Sequence, residues 1–267
     1  MKGLASVLGI ILLCGGAVCA GPLELSIGGG PSAISLDAWN GIIESWNAVI
    51  AHFNQFSETH PDVSGSVRKL SLLTTGLVGH AAERYWVLDW LALGARFEYE
   101  SSTSTASGSY VGAETSTVDI ALQYQTIGLL AGARLRFLDA GLRLAGDLAV
   151  GYYHGSLDHS VVFEVPSEYT DAISGLPREG TGRHAGGTLG FEVGLALDVP
   201  FAEEGYLGAA LTYRSAVIQT LTDTTGDALD LDGDGTAEDA NLSEISVRVS
   251  FSIDIDLSLD GGDGEKE

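Results

Sequence analysis

The chain has 267 residues, a formal net charge of −23 and a pI near 4.3, with 45% apolar residues against 18% charged at a mean hydropathy of +0.19. That apolar content excludes a disordered acidic tail. The 13 Lys and Arg against 36 Asp and Glu leave no basic footprint for nucleic acid. Past the N-terminus, no uncharged apolar run reaches the ~18 residues that a helical membrane span needs.

Residues 1–20 read MKGLASVLGIILLCGGAVCA. One Lys, a short apolar stretch and small residues up to Ala20 form the pattern of a secretory signal peptide cleaved after Ala20. Cleavage there removes Cys14 and Cys19, the two cysteines of the chain, so the exported protein holds neither thiol nor disulfide.

From Gly21 onward, apolar and polar residues alternate with period 2, the signature of strands with one apolar and one polar face. The spacing predicts strands over 23–27, 70–78, 87–99, 118–137, 142–152, 187–199, 207–221 and 245–259. In the fourth, the apolar parity changes. Val118, Ile120, Leu122 and Tyr124 are even, whereas Ile127, Leu129, Leu135 and Phe137 are odd, which predicts a β-bulge near Gln125–Thr126. Short connections are expected at 80–85, 138–141 and 200–205. Long ones are expected at about 30–66, 101–115, 155–184 and 222–243. Eight strands with tight turns at one end and long loops at the other have the layout of a transmembrane β-barrel. Aromatic residues cluster at strand ends, as rings at headgroup level would: Tyr85, Trp86, Phe137, Phe201 and Tyr206 on the turn side, and Tyr99, Tyr152 and Tyr153 on the loop side. The competing architecture is a soluble sandwich with the apolar faces pressed together.

The first long loop contains a second kind of pattern. Leu36, Trp39, Ile43, Trp46, Ile50 and Phe53 recur at helical spacing, which predicts an amphipathic helix over about 36–56. Ser35 stands at the cap position and Pro61 lies beyond the end. The polar face carries Asn40, Glu44, Asn47, His52, Asn54 and Gln55. A lid over the barrel mouth, an interfacial helix and a helix packed on neighbouring loops all fit this pattern.

The stretch from Thr126 to Gly146, closing with Gly151-Tyr152-Tyr153, reads strand, tight turn, strand. With it, residues 22–260 resemble the small eight-stranded outer-membrane barrels of the OmpA/OmpX/OmpW kind. The resemblance implies an all-β, eight-stranded antiparallel up-and-down transmembrane barrel. The domains are then a signal peptide (1–20), the barrel (21–260) and an acidic tail (261–267). The terminal aromatic residue usual in such barrels is missing here, where 257–259 read Leu-Ser-Leu.

The interior parity places Arg96, Arg134, Arg136, Arg143, Arg214 and Arg248 inside, with Glu98, Asp119, Asp147, Glu192, Asp198, Asp254 and Asp256. By depth, Arg134, Arg136 and Arg143 fall with Asp198, Asp254 and Asp256 near the turns, and Arg96 and Arg214 with Asp147 and Glu192 near the middle. An eight-stranded barrel has room for little besides its own side chains, and unpaired charge there is costly, so a plug of arginine–carboxylate pairs is expected.

Residues 230–241 carry Asp230, Asp232, Asp234, Thr236, Glu238 and Asn241, with Gly235 at the sixth position. That is the spacing of a calcium loop, and it resembles those of EF-hands and dockerins, with Asn241 in place of the bidentate acid. Weak Ca²⁺ binding is the expected cofactor chemistry. No catalytic signature stands out; His154 and Ser156 with Glu164 and Glu168 faintly resemble the residues of lipid A deacylases. The sequence therefore reads as a monomeric integral outer-membrane barrel of a two-membraned bacterium, with a structural or surface-interaction role. Its expected partners are outer-membrane lipid, the outer-membrane assembly machinery and an extracellular or apolar ligand at the loop side. A narrow channel or conduit for small apolar molecules, and a lipid-acting enzyme, are the alternatives.

Overall fold

The computed structural model describes residues 21–164, 179–229 and 239–256. The elements are β1 (Leu23–Ile34), α1 (Asp37–Thr59), β2 (Ser64–Gly65), β3 (Thr75–Leu88), β4 (Leu91–Val111), β5 (Thr115–Asp139), β6 (Arg143–Glu164), β7 (Glu179–Pro200), β8 (Gly205–Ser215), β9 (Val217–Ile218), β10 (Ala240–Asn241) and β11 (Glu244–Ile255). Eight of the strands close into an antiparallel ring in the order β1, β3, β4, β5, β6, β7, β8, β11 and back to β1. Each neighbours its sequence neighbour, so the barrel is up-and-down.

The registers fix its geometry. Following paired residues from Leu23 through Tyr85, Leu93, Ala133, Leu148, Val193, Tyr213 and Ile245 returns to β1 at Ala33, a stagger of ten residues. With ~3.3 Å per residue and ~4.8 Å between strands, this stagger tilts the strands about 40° from the barrel axis.

Outward-facing residues form a continuous apolar band. On β7 it runs through Leu189, Phe191, Val193, Leu195, Leu197 and Val199, all exposed. Eleven residues at that tilt climb about 25 Å, the height of a transmembrane barrel's apolar belt. Tyr99, Tyr152, Phe191 and Tyr213 stand exposed near its loop-side rim, and Trp90, Phe137, Phe201 and Phe251 near the turns. Trp86, Tyr153 and Tyr206, expected in these girdles, point inward instead. Trp86 and Tyr153 are buried, and Tyr206 lies beneath the Arg143 guanidinium, 3.6 Å from its ring centroid.

Above the band the polarity of the wall inverts. The expected bulge near Gln125–Thr126 is absent: β5 pairs without a register shift through Gln125 and Thr126 on both sides. Its even residues face inward throughout, from Arg134 up to Leu122, Ile120 and Val118. The apolar parity changes because the surroundings do. Along the band the odd, outward residues are apolar; above it the even, inward residues are apolar and enclose a core. Asp119, expected inside on the strength of the bulge, is accordingly exposed.

Several bounds differ from expectation. The first turn lies between Leu88 and Leu91 rather than at 80–85, which is mid-strand in β3. Residues 101–115, expected as a loop, instead continue the β4–β5 hairpin, which pairs as far as Val111 with Thr115. Likewise β6 extends to Glu164, and β8 stops at Ser215 rather than 221. Residues 70–73 precede β3 as part of a segment that runs along α1.

Helix α1 fills the loop-side mouth. Trp39, Ile43, Trp46, Ile50 and Phe53 are buried in one cluster with Val118, Ile120 and Leu122 of β5 and Leu157, Val161 and Phe163 of β6. Ser35 gives the helix no side-chain cap; its hydroxyl donates to the Asp37 carboxylate at 2.7 Å. On the other face, Asn40, Asn47 and Asn54 each grip one backbone unit of the 66–74 segment. Each asparagine accepts the N–H of Leu73, Leu70 or Val67 (2.8, 2.8 and 2.9 Å) and donates to that same residue's carbonyl (3.4, 2.9 and 2.9 Å). The repeats match because seven helical residues rise ~10.5 Å and three extended residues ~10 Å. No helix among the described residues is long and apolar enough to cross a membrane, which says nothing of crossing by strands.

Candidate functional site

Strand alternation turns every second residue into the lumen, and there the sequence has placed charge. Two layers result. Near the turns, the Glu24 carboxylate accepts from Arg84 (2.7 Å) and Arg134 (2.8 Å). Arg134 also lies 3.4 Å from Asp147 and 3.3 Å from Asp198. Arg143 donates to Asp254 at 2.8 Å and, with Arg136, flanks Asp139. Arg136 stacks on the Trp86 ring, 3.8 Å from its centroid. Guanidinium planes thus lie over aromatic faces near the turns.

The second layer sits toward the loop side. Arg248 pairs with Glu98, with Glu192 (3.0 Å) and with Glu244 (3.1 Å), and its Nε donates to Ser246 at 2.9 Å. Arg96 pairs with Glu98 (2.9 Å) and Glu192. Arg214 pairs with Glu100 and Glu244 (3.2 Å), and its Nε donates to the Leu242 carbonyl at 2.8 Å. Ser32 donates to Glu100. Arg214 and Arg248 are 0% and 2% exposed, and Glu98, Glu100, Glu192 and Glu244 no more than 2%. Charges this deeply buried persist only when paired and hydrogen-bonded. Between the layers, a cavity of about 20 Å³ lined by Arg84, Arg96, Leu130 and Asp147 has room for about one water.

Arg96, Arg134, Arg136, Arg143, Arg214, Arg248, Asp147, Glu192, Asp198 and Asp254 therefore lie in the lumen. Besides Asp119, two placements differ from expectation. Asp147 belongs to the turn-side layer, because β6 carries it level with Arg134, its register partner on β5. Asp256 lies one residue past β11 and is exposed. The sequence reading missed Glu24, Arg84, Glu100 and Glu244. Glu24 has the parity opposite to Leu23, Leu25 and Ile27, so alternation alone could have found it. Arg84 was hidden by the misplaced turn, and Glu100 and Glu244 by strands read as too short.

Of the calcium-loop residues, Asp230, Asp232, Asp234, Thr236 and Glu238 lie outside the described residues, as do the signal peptide and the tail. Asn241 lies in β10, and its side-chain oxygen accepts the Ser243 N–H at 3.0 Å. Among the described residues no group of three or more His, Cys, Asp or Glu is placed to hold a metal. His154 is exposed on the outer wall, while the Ser156 hydroxyl accepts from Arg183 at 3.2 Å. Glu164 ends β6, and Glu168 lies outside the described residues.

No family model matches the chain, and no curated protein does. Among solved structures, it is similar to a major outer membrane protein of Thermus thermophilus (11% identity, 88% of this chain and 100% of that one, TM-score 0.44). It is similar to Ail, the attachment invasion locus protein of Yersinia pestis, in complex with the heparin analogue sucrose octasulfate (12% identity, 88% and 97%, TM-score 0.42). It is also similar to the outer membrane protease OmpT of Escherichia coli (9% identity, 88% and 97%, TM-score 0.38).

Proposed function

We propose that the protein is an integral outer-membrane barrel whose lumen is plugged by its arginine–carboxylate network and whose helix-capped loop side faces outward, in a structural or surface-interaction role. The observation that carries this reading is the inversion along β5, where one unbroken strand is apolar outside from Ile127 to Phe137 and apolar inside from Val118 to Tyr124. Hydrocarbon around the lower half and water around the upper half account for both halves at once. A soluble sandwich would press the β7 row from Leu189 to Val199 against a second sheet, whereas the closed ring leaves it exposed, and in water it would have no partner. The ion pairs that fill the lumen support a closed barrel over a channel, and the packed core beneath α1 supports a cap over a conduit.

The test has two readings from one preparation. Detergent-extracted membranes should yield a protein whose gel mobility shifts on boiling, as closed barrels do. The same protein in planar bilayers should show no stable conductance. Recovery in the soluble fraction overturns the membrane reading, and a steady large conductance overturns the plug. We also propose weak Ca²⁺ binding by Asp230, Asp232, Asp234, Thr236 and Glu238. Calorimetry at millimolar calcium should register heat that D232N removes, and an unchanged titration refutes it.

A further inference from the structure

One outward-facing residue of the apolar band violates its pattern. Glu83, between Ala81 and Tyr85 on β3, shares the parity of exposed Val87 and Leu77. It pairs in register with Leu25 and Ala95, both outward-facing. By the barrel tilt it stands about 8 Å above the level of Leu23, a third of the way up the band. Among the described outward residues of the band it is the one that carries charge, and it makes no hydrogen bond or ion pair. A carboxylate facing hydrocarbon is expensive and marks a functional contact. Ala81, Ala95 and Ala131 leave a gap beside it among Leu25, Leu93 and Phe97, whereas β7 on the far side of the barrel presents Leu, Phe and Val throughout. Small residues let backbones approach across a membrane interface.

We infer that this face of β3 and β4 is a homodimer interface, in which Glu83 of each copy accepts a hydrogen bond from Tyr85 of the other. The inference rests on the membrane reading above, because both copies then share one orientation and the two-fold axis lies along the membrane normal. The strand tilt displaces Tyr85 from Glu83 by about 5 Å in depth and about 4 Å sideways. An axis midway between them sets Tyr85 of the second copy directly beneath Glu83 of the first. The same axis brings the two Ala95 residues within about 3 Å of each other laterally, where a larger side chain would hold the barrels apart. A donor and an acceptor two residues apart on one face thus complement their own copy.

Residues 21–267 hold no cysteine, and Cys14 and Cys19 fall within the proposed signal peptide, so single substitutions report the contact directly. In lipid nanodiscs or native membranes, A95C should give a disulfide-linked dimer under mild oxidation, at least tenfold faster than L195C on the far wall. Wild-type protein should be dimeric by single-particle mass measurement, and E83L and Y85F should each raise the dimer dissociation constant at least tenfold. Should E83L fail to insert, Y85F and the A95C rate still decide, since both retain Glu83. Membrane-inserted, heat-modifiable protein that stays monomeric, or equal cross-linking at both cysteines, overturns the dimer and leaves the barrel reading intact. Protein absent from the membrane overturns the barrel reading first.

Discussion

Replacing Arg248 with Met asks what the lumen network contributes. The Arg248 guanidinium contacts three carboxylates, those of Glu98, Glu192 and Glu244, and is 2% exposed. In its layer, Arg96, Arg214 and Arg248 face Glu98, Glu100, Glu192 and Glu244; the substitution leaves two guanidiniums facing four carboxylates. Removing one partner of a buried pair costs about 3–5 kcal/mol, because the remaining charge stays buried without compensation. That is two to three and a half orders of magnitude in the unfolding equilibrium, at about 1.4 kcal/mol per tenfold. Urea unfolding in phospholipid vesicles, followed by tryptophan fluorescence and by loss of the heat-modifiable band, measures it. The double change R248M/E98Q should recover part of the loss, since it removes a carboxylate along with its guanidinium while Arg96 keeps Glu192 and Arg214 keeps Glu100 and Glu244. R183M breaks an exposed pair in which Asp158 lies 3.5 Å away, and should cost under about 1 kcal/mol. An R248M midpoint equal to that of the wild type would refute the reasoning.

Asn47→Ala removes both hydrogen bonds to the Leu70 backbone unit, so the Leu70 amide should exchange at least tenfold faster while amides of β7 in the band keep their protection; equal exchange at Leu70 contradicts the clasp. Leu195→Arg places a guanidinium near the middle of the band and should cost about 2–4 kcal/mol of barrel stability. Gln123→Arg, on the outer wall of the same barrel but above the band, should change stability by less than about 0.5 kcal/mol. The Asp223 carboxyl is held below the usual carboxylate range by hydrogen bonds from the Thr225 hydroxyl and from the Thr225, Asp227 and Gly226 amides. A lowered folded-state pKa stabilises above the ordinary value and loses that contribution as pH falls through the lowered one. Amide exchange at Gly226 should therefore quicken toward acid pH beyond the intrinsic trend, and in D223A it should follow that trend alone.

Alternation made the barrel legible because a strand's two faces meet two different media, and the Leu189–Val199 row reads almost without interruption. Alternation also misled at one place for a physical reason. The parity change between Tyr124 and Ile127 has two causes with one signature, a slipped backbone or a changed solvent. Residues of a single strand cannot separate them. The partner registers can, since Glu100 pairs with Thr126 and Ser101 with Gln125 in unbroken sequence. Pairing within the lumen was likewise beyond reach. Arg134 meets Glu24 across 110 positions of sequence, and their shared depth depends on a stagger that no single strand encodes. The helix over 37–59 was visible in its apolar stripe. The use of Asn40, Asn47 and Asn54 was not, because their seven-residue repeat acquires meaning only beside an extended segment of matching rise.

On the membrane reading, each wall residue meets hydrocarbon or water according to its parity and height. A nitroxide scan along β5 in lipid vesicles, comparing collisions with oxygen against a water-soluble nickel chelate, measures this residue by residue. Oxygen-rich odd positions from 127 to 137, nickel-rich odd positions from 117 to 125, and low collision rates for both reagents at even positions from 118 to 134 are expected. Odd positions that meet the nickel chelate equally along the whole strand would contradict that reading.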